Sequence, residues 1–365
     1  MQIDLVAGAR PNFMKIAPLY HRLAAHPVLR PRIVHTGQHY DANMSAFFFR
    51  DLGLPEPDIA LHVGGGRAGW QTGQILGAYE SVLLDSPPDV VVVVGDVNST
   101  LAATLAAVKL GIATCHLEAG LRSHDRSMPE EINRVLVDRV ADVLWTPSPD
   151  AETHLLGEGV PAQRISFVGN IMIDALERVR PRFEAADAPA AHGVTPGNYG
   201  VVTLHRPENV DDPDQLARAV AALAAAGEAV PLLFPVHPRT RARLTAAGQL
   251  ERLRAAPGVT LIEPAGYVAF MSLVASAAVV ITDSGGLQEE TTALGVPCLT
   301  LRKGTERPIT IEQGSNRLIT TQTLPACVDA ALGRARQTLP RPEKWDGRTA
   351  ERIEADLLDR FALKA

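Results

Sequence analysis

The sequence predicts a doubly wound α/β fold, built twice along one chain, on three observations. Short apolar runs alternate with helical stretches at the spacing of βαβ units, which means a parallel sheet. The apolar runs are continuous, Val90–Val94 being five valines in a row, as in a sheet covered on both faces. The pattern also halts once, at 183–198, where EAADAPAAHGVTPGN lacks periodicity and reads as a linker, and then restarts.

Taken in order, the first half gives strands at Ile3–Ala7, Arg32–Thr36, Val90–Val94, Ala113–Leu117, Val143–Thr146 and Ile165–Val168. Helices at Asn12–Ala25, Trp70–Leu84, Ser99–Leu110, Glu130–Ala141 and Pro149–Leu156 fall between them. The second half gives strands at Val201–Leu204, Leu232–Val236, Thr260–Ile262, Val279–Thr282 and Cys298–Leu301. Its helices are expected at Asp212–Ala225, Arg239–Ala247, Tyr267–Ala275, Leu287–Leu294 and Leu324–Ala335, and Gly347–Phe361 reads as a last amphipathic helix. The expected division is a Rossmann-like domain at 1–182, a second at 198–345, and a C-terminal helix within 346–365 packing back on the first domain. In open α/β sheets ligands bind outside the carboxyl ends of the strands, so two such domains facing each other would make one deep cleft.

Composition agrees with two globular domains. The chain has 365 residues, 46% hydrophobic and 21% charged, which excludes a disordered chain. A net charge of −6 argues against a general nucleic-acid binder. No apolar run reaches the roughly 18 residues of a membrane span; the most apolar candidate, Leu216–Phe234, contains Arg218, Glu228 and Pro231. The start of the chain has no basic segment of a secretory signal. Cys115, Cys298 and Cys327 are far apart and read as reduced core residues, without metal-ligand spacing. The expectation is a cytoplasmic protein that needs no metal.

Chemistry-bearing residues cluster just after the strands. The first strand runs into Gly8-Ala9-Arg10-Pro11-Asn12-Phe13-Met14-Lys15: a glycine turn, a helix start and two cations, suited to an anion or simply a βα turn with solvated charges. Asp96 follows the valine strand and either caps the helix starting near Ser99 or faces a ligand. Glu118, after the next strand, is a charge against an apolar run that needs a partner, Arg122 for instance, or a function. In Met128-Pro129-Glu130-Glu131, the proline and acidic residues suit a first helical turn. That preference accounts for one glutamate, not for three acidic clusters at one sheet edge. In the second half His205 and His237 end neighbouring strands, and Asp283-Ser284-Gly285-Gly286 joins a strand to a helix as a phosphate cradle would. Glu290, farther along that helix, could reach a ribose diol, and Arg307 follows a further strand. Cations and glycine turns in both halves, with carboxylates mainly in the first, suggest a nucleoside diphosphate on the second domain and an acid/base site on the first.

With these residues in place, the chain resembles the non-hydrolysing UDP-N-acetylglucosamine 2-epimerase family over nearly its full length. The resemblance rests on GARPNFMKIAPL at 8–19, TGQHYDANMS at 36–45, GDVNSTLA at 95–102, HLEAGLRS at 116–123 and MPEEINR at 128–134. It continues in GNIMIDA at 169–175, LHRPEN at 204–209, DSGGLQEE at 283–290 and TERP at 305–308. It implies a glycosyltransferase-B-like pair of Rossmann-like domains, a homodimer, a UDP-sugar substrate, and interconversion of UDP-GlcNAc and UDP-ManNAc without a cofactor. The reaction it implies removes the proton at carbon 2, eliminates UDP to leave 2-acetamidoglucal, and adds UDP back with carbon 2 inverted.

By motif, Asp96, Glu118 and Glu130 resemble the family's catalytic carboxylates, and His205 the group that assists UDP departure. Arg10, Lys15, Phe270, Ser284, Gly285, Gly286, Glu290 and Arg307 resemble the UDP-binding positions: Phe270 by the uracil, Glu290 at the ribose, and Ser284 with the glycines at the phosphates. The chain departs from many bacterial members at Gln38-His39-Tyr40-Asp41, where they read Gln-His-Arg-Glu in a loop holding a second, activating UDP-GlcNAc. It departs also at Pro207 and Ala265. The HYD form occurs both in UDP-GlcNAc epimerases and in relatives acting on UDP-2,3-diacetamido sugars and their uronic acids. A hydrolysing epimerase and a glycosyltransferase of the same fold are the competing activities.

Overall fold

The computed structural model describes residues 1–37, 49, 52–333 and 340–361. The Gln38–Asp41 departure lies outside them. The chain divides into two units: Met1–Arg178 with the described chain from Glu343 onward, and Val179–Pro342.

The first unit holds one parallel sheet of seven strands: β1 (Gln2–Ala7), β2 (Arg30–His35), β3 (Ile59–Ala60), β4 (Val90–Val94), β5 (Ala113–Leu117), β6 (Val143–Thr146) and β7 (Ile165–Phe167). Their order is β3-β2-β1-β4-β5-β6-β7. The order reverses between β1 and β4, and that switch point is where a doubly wound sheet opens a crevice. All five valines of β4 are buried, so the strand has helices on both faces. Burying each contributes roughly 1.5–3 kcal/mol.

The second unit repeats the plan with β8 (Gly200–Thr203), β9 (Leu232–Pro235), β10 (Val259–Ile262), β11 (Val279–Thr282), β12 (Cys298–Leu301) and β13 (Asn316–Ile319). Their order is β10-β9-β8-β11-β12-β13, every pair parallel, with the switch between β8 and β11. One apolar core formed by Val202, Leu223, Phe234, Ile281 and their neighbours backs this sheet.

The chain between the two sheets differs from the expectation. A helix spans Ile171–Glu184, and the stretch read as a linker continues into a short helix at Ala188–Ala191. Ala188 and Pro189 are buried, and the Ala188 N–H donates to the Ser272 hydroxyl at 3.3 Å, so this stretch packs within the second unit. Near the end of the chain, the helix Thr349–Phe361 belongs to the first unit. The Asp174 carboxylate accepts from the N–H groups of Thr349 and Ala350 at 3.1 and 2.8 Å, capping that helix from another element. Trp145 donates to Asp356 at 2.7 Å, and buried Trp345 donates to the Pro147 carbonyl at 3.1 Å. No helix among the described residues is long and apolar enough to cross a membrane.

Candidate active site

In the first unit the switch-point strands deliver their polar ends to one place. After β1, Gly8 lies so close to β4's following helix that a Cβ there would sit 2.0 Å from Ser99 Oγ. The helix Arg10–Ala24 is fixed by Asn12, which accepts from the Ala9 N–H at 3.0 Å and donates to the Val94 carbonyl at 3.0 Å. One turn on, Lys15 pairs with the Glu118 carboxylate; both side chains are buried. The side chain of Arg10 lies outside the described residues.

Glu118 is therefore answered by Lys15, not by Arg122, which pairs instead with Asp138 at 2.7 Å and Glu158 at 2.7 Å. Glu118 also has φ of +73°, a left-handed conformation that a side chain other than glycine adopts at a cost of about 1–3 kcal/mol. Such strain persists only where the surroundings over-determine it, and it concentrates at functional sites.

Asp96 is no helix cap. The helix Asn98–Lys109 is capped at Val97 without a side-chain bond, and Asp96 instead accepts from Arg134 at 2.5 Å. Arg134 also bridges to Glu131 at 2.9 Å. The two glutamates at the start of the helix Pro129–Val140 part company here. Glu131 accepts from the Ser123 N–H and hydroxyl and from the His124 N–H at 2.9–3.0 Å. Burial works to raise its carboxyl, and those bonds with Arg134 more than offset this, leaving it below its ordinary value. Glu130 is half-buried, and its side chain makes no hydrogen bond or ion pair with the described residues.

In the second unit β8 and β11 end side by side. The β11 end supplies Asp283, fully buried, which accepts from the N–H groups of His205 and Arg206 and from Asn209. Its Oδ1 lies 3.1 Å from Nδ1 of His205. Burial works to raise the Asp283 carboxyl, but these partners hold it below its usual value. His205 is thus oriented through Nδ1 while its side chain stays about half exposed. His237 is occupied differently. Its Nδ1 accepts from the Arg239 N–H at 3.3 Å and caps the helix Pro238–Ala246.

Ser284 stands at the N-cap of the helix Gly285–Leu294. A Cβ on Gly285 would sit 2.8 Å from an Arg307 nitrogen, so glycine lets the guanidinium lie against this helix start. Arg307 is itself held by Glu289, at 2.9 Å, and by Glu306. Gly286 follows in the first turn, half-buried. Farther along, Glu290 is buried and accepts from the Tyr267 hydroxyl at 2.6 Å; burial pushes its pKa up to about 7. Tyr267 opens the helix that also carries half-buried Phe270.

Among the candidate residues the structure joins Lys15 to Glu118 in the first unit, where Asp96 and Glu130 also lie, and sets Arg307 against Gly285 in the second, where His205, Phe270, Ser284, Gly286 and Glu290 also lie. Four supporting residues escaped sequence reasoning: Arg134 on Asp96, Asp283 under His205, Tyr267 on Glu290, and Asp138. Only Asp283 had a visible signal, as a strand-end acid directly before Ser-Gly-Gly. Among the described residues no cluster of His, Cys, Asp and Glu is arranged to hold a metal ion.

Comparison with known proteins sets this geometry in a family. The family model described as UDP-N-acetylglucosamine 2-epimerase matches residues 21–358. The UDP-N-acetylglucosamine 2-epimerase of Methanocaldococcus jannaschii is 40% identical over 367 residues, covering 97% of this chain and 98% of that one. A Pseudomonas aeruginosa UDP-2,3-diacetamido-2,3-dideoxy-D-glucuronate 2-epimerase is also 40% identical, covering 95% of each. The crystal structure of the M. jannaschii enzyme in complex with UDP-GlcNAc and UDP superposes with a TM-score of 0.90, covering 98% of this chain and 100% of that one. The chain belongs to the UDP-N-acetylglucosamine 2-epimerase family, a family of isomerases.

Proposed function

We propose that this protein is a non-hydrolysing epimerase that interconverts UDP-GlcNAc and UDP-ManNAc. The observation that carries the reading is Glu118: a buried carboxylate in a strained backbone conformation after β5, paired with Lys15 on the helix that follows the switch-point strand β1. An anion merely balancing a charge has no need of that strain.

In this reading a first-unit carboxylate takes the proton from carbon 2, and the electron pair left behind forms the carbon 1–carbon 2 double bond. The bond from carbon 1 to the UDP oxygen breaks, and the pair leaves with UDP. In the return step the UDP oxygen attacks carbon 1, and an acid delivers a proton to the opposite face of carbon 2. Glu118 and Glu130 serve as the acid/base pair, and Asp96, held by Arg134, is the third carboxylate of the reaction. Glu130 has its carboxyl uncommitted to other described groups, as a proton carrier requires. His205, steadied by Asp283, donates to the departing diphosphate. Arg10 and Lys15 belong to UDP binding, as do the Ser284–Gly286 helix start with Arg307, Phe270 at the uracil and Glu290 at the ribose. No cofactor is needed, since a proton and UDP are removed in one step and a proton and UDP are added in the next, with no net change of oxidation state.

The 40% identity to the Pseudomonas diacetamido-glucuronate epimerase supports a second reading, with the same chemistry on a UDP-2,3-diacetamido sugar or its uronic acid. Chromatography of reactions with each substrate separates the readings. UDP-ManNAc from UDP-GlcNAc supports the first; conversion of the diacetamido sugar alone supports the second; free ManNAc with UDP points to hydrolysis. We also infer a homodimer. Ile132, Val135 and Leu136 form an i, i+3, i+4 stripe 42–45% exposed on the helix Pro129–Val140, suited to a second copy. Light scattering of the wild type and of Leu136→Asp tests it: a dimer that the variant dissociates is expected, and a wild-type monomer would contradict it.

A further inference from the structure

Behind the carboxylates of the first unit lies a fully buried histidine with no part in the proposed chemistry. His116 is the fourth residue of β5, two before Glu118. Both of its ring nitrogens face acceptor oxygens, so both are placed to donate. Nδ1 lies 2.6 Å from Asp138 Oδ1, and Nε2 lies 2.8 Å from the Gly95 carbonyl oxygen. Asp138 in turn accepts from the Gly120 N–H at 3.0 Å and from Arg122 at 2.7 Å; Arg122 closes on Glu158.

These bonds land on the two turns that carry the reactive side chains. Gly95 precedes Asp96 and has φ of +67°. Its N–H donates to the Leu117 carbonyl at 3.0 Å, and its carbonyl accepts from His116, so its peptide groups are held on both sides. A Cβ on Gly95 would meet Lys15 Nζ at 3.2 Å and Glu118 Oε2 at 3.4 Å, so this stretch of backbone is the wall behind the Lys15–Glu118 pair. The second turn is Glu118–Gly120. Asp138 fixes the N–H of Gly120, a residue with φ of +81° whose missing Cβ would lie 2.3 Å from the Ala151 carbonyl oxygen. One buried His–Asp pair therefore joins the turn of Asp96 to the turn of Glu118, with left-handed Glu118 between its anchor points.

We propose that His116, held by Asp138, is a positioning residue that keeps Glu118 and Asp96 in their reactive geometry through its bond to the Gly95 carbonyl. The inference rests on Glu118 and Asp96 taking part in the reaction. A purely structural alternative exists: His116 serves only as a partner for the buried Asp138 carboxylate, and Gly95 is incidental.

Two amides separate these. Glutamine at 116 puts its side-chain NH₂ near the Nε2 position and keeps the bond to Gly95; asparagine puts it near Nδ1 and keeps the bond to Asp138. The measurements are kcat and KM for the UDP-sugar, the Kd of UDP, and the melting temperature, for wild type, His116→Gln and His116→Asn. Positioning predicts that His116→Asn loses about tenfold to a hundredfold in kcat, as a small misplacement of reacting groups does. KM and UDP affinity stay within about twofold, and His116→Gln stays within about fivefold of wild type in kcat. Equal losses, or asparagine more active than glutamine, would overturn the proposal. Failure of His116→Gln to fold would overturn it too, because the Asp138 contact would then be the indispensable one. If asparagine alone fails to fold, glutamine decides: a kcat near wild type supports positioning, and a hundredfold loss refutes it. Glu118→Gln, run alongside, keeps the two levels apart: full activity there removes the role of Glu118 itself, whatever His116 does.

Discussion

The Tyr267 hydroxyl donates to Glu290 Oε1 at 2.6 Å, and both side chains are buried in the second unit. Burial raises the Glu290 carboxyl to about 7, with the Glu289 charge adding to the rise and the Tyr267 bond opposing it. A carboxylate accepts hydrogen bonds from a ribose diol better than a carboxylic acid does. Uridine, which does not titrate in this range, is expected to bind more tightly as pH rises through about 7, and Glu290→Gln is expected to flatten that dependence. Calorimetric titrations of uridine from pH 5.5 to 8.5 check it.

The same pair sets a stability dependence. The folded pKa of Glu290 lies above its ordinary 4.5, so the native state binds the extra proton between about 4.5 and 7. This group's contribution to stability is therefore full below 4.5 and lost as pH rises through 7. Tyr267→Phe leaves a buried acceptor without its donor, a loss of roughly 1–3 kcal/mol. It also removes a bond that favours the charged form, so the uridine midpoint is expected to move upward. Denaturant melts at pH 5 and pH 8, with and without the substitution, test both.

The adjacent glutamates should separate function from structure. Glu130→Gln is expected to cut kcat by about 10²-fold or more, the scale of a lost acid/base group, with the melting temperature unchanged. Glu131→Gln loses the ion pair to Arg134 and weakens the acceptor for Ser123 and His124, a destabilisation of roughly 1–3 kcal/mol. Its melting temperature should drop by several degrees. Thermal melts and steady-state kinetics on both variants suffice; the reverse pattern would reassign the pair.

At the start of the helix Gly285–Leu294, Gly285→Ala forces the Arg307 guanidinium away from the Cβ, which would otherwise stand 2.8 Å from it. The displaced atoms are the ends of flexible side chains, so folding should survive. UDP affinity is expected to fall about tenfold through the lost cation at the helix start. Calorimetry with UDP, beside a thermal melt, reads both.

Strands and strand ends were legible because burial on both faces writes itself as continuous apolar runs, as in Val90–Val94. Of the four edge strands, Ile165–Phe167 and Val259–Ile262 were legible, but the other two were not. Ile59–Ala60 is two residues long, and Asn316–Ile319 mixes polar and apolar residues. Candidate residues could be named from where they fall, but their partners could not. Arg122, four residues from Glu118, was the nearest cation in sequence; the fold instead brings Lys15, 103 residues away. Arg134 reaches Asp96 across 38 residues, and Asp138 reaches His116 across 22. Such pairings depend on which strands lie side by side, which no local periodicity encodes.

The central claim is proton removal at carbon 2 by a first-unit carboxylate, with UDP leaving and returning. Proton NMR of the protein with UDP-GlcNAc in deuterium oxide tests it most directly, with Glu118→Gln as the paired sample. The expected result is UDP-ManNAc and UDP-GlcNAc both carrying deuterium at carbon 2, little free UDP, and no exchange in the variant. Epimer formed with its carbon 2 proton retained, or exchange undiminished in Glu118→Gln, would contradict the account.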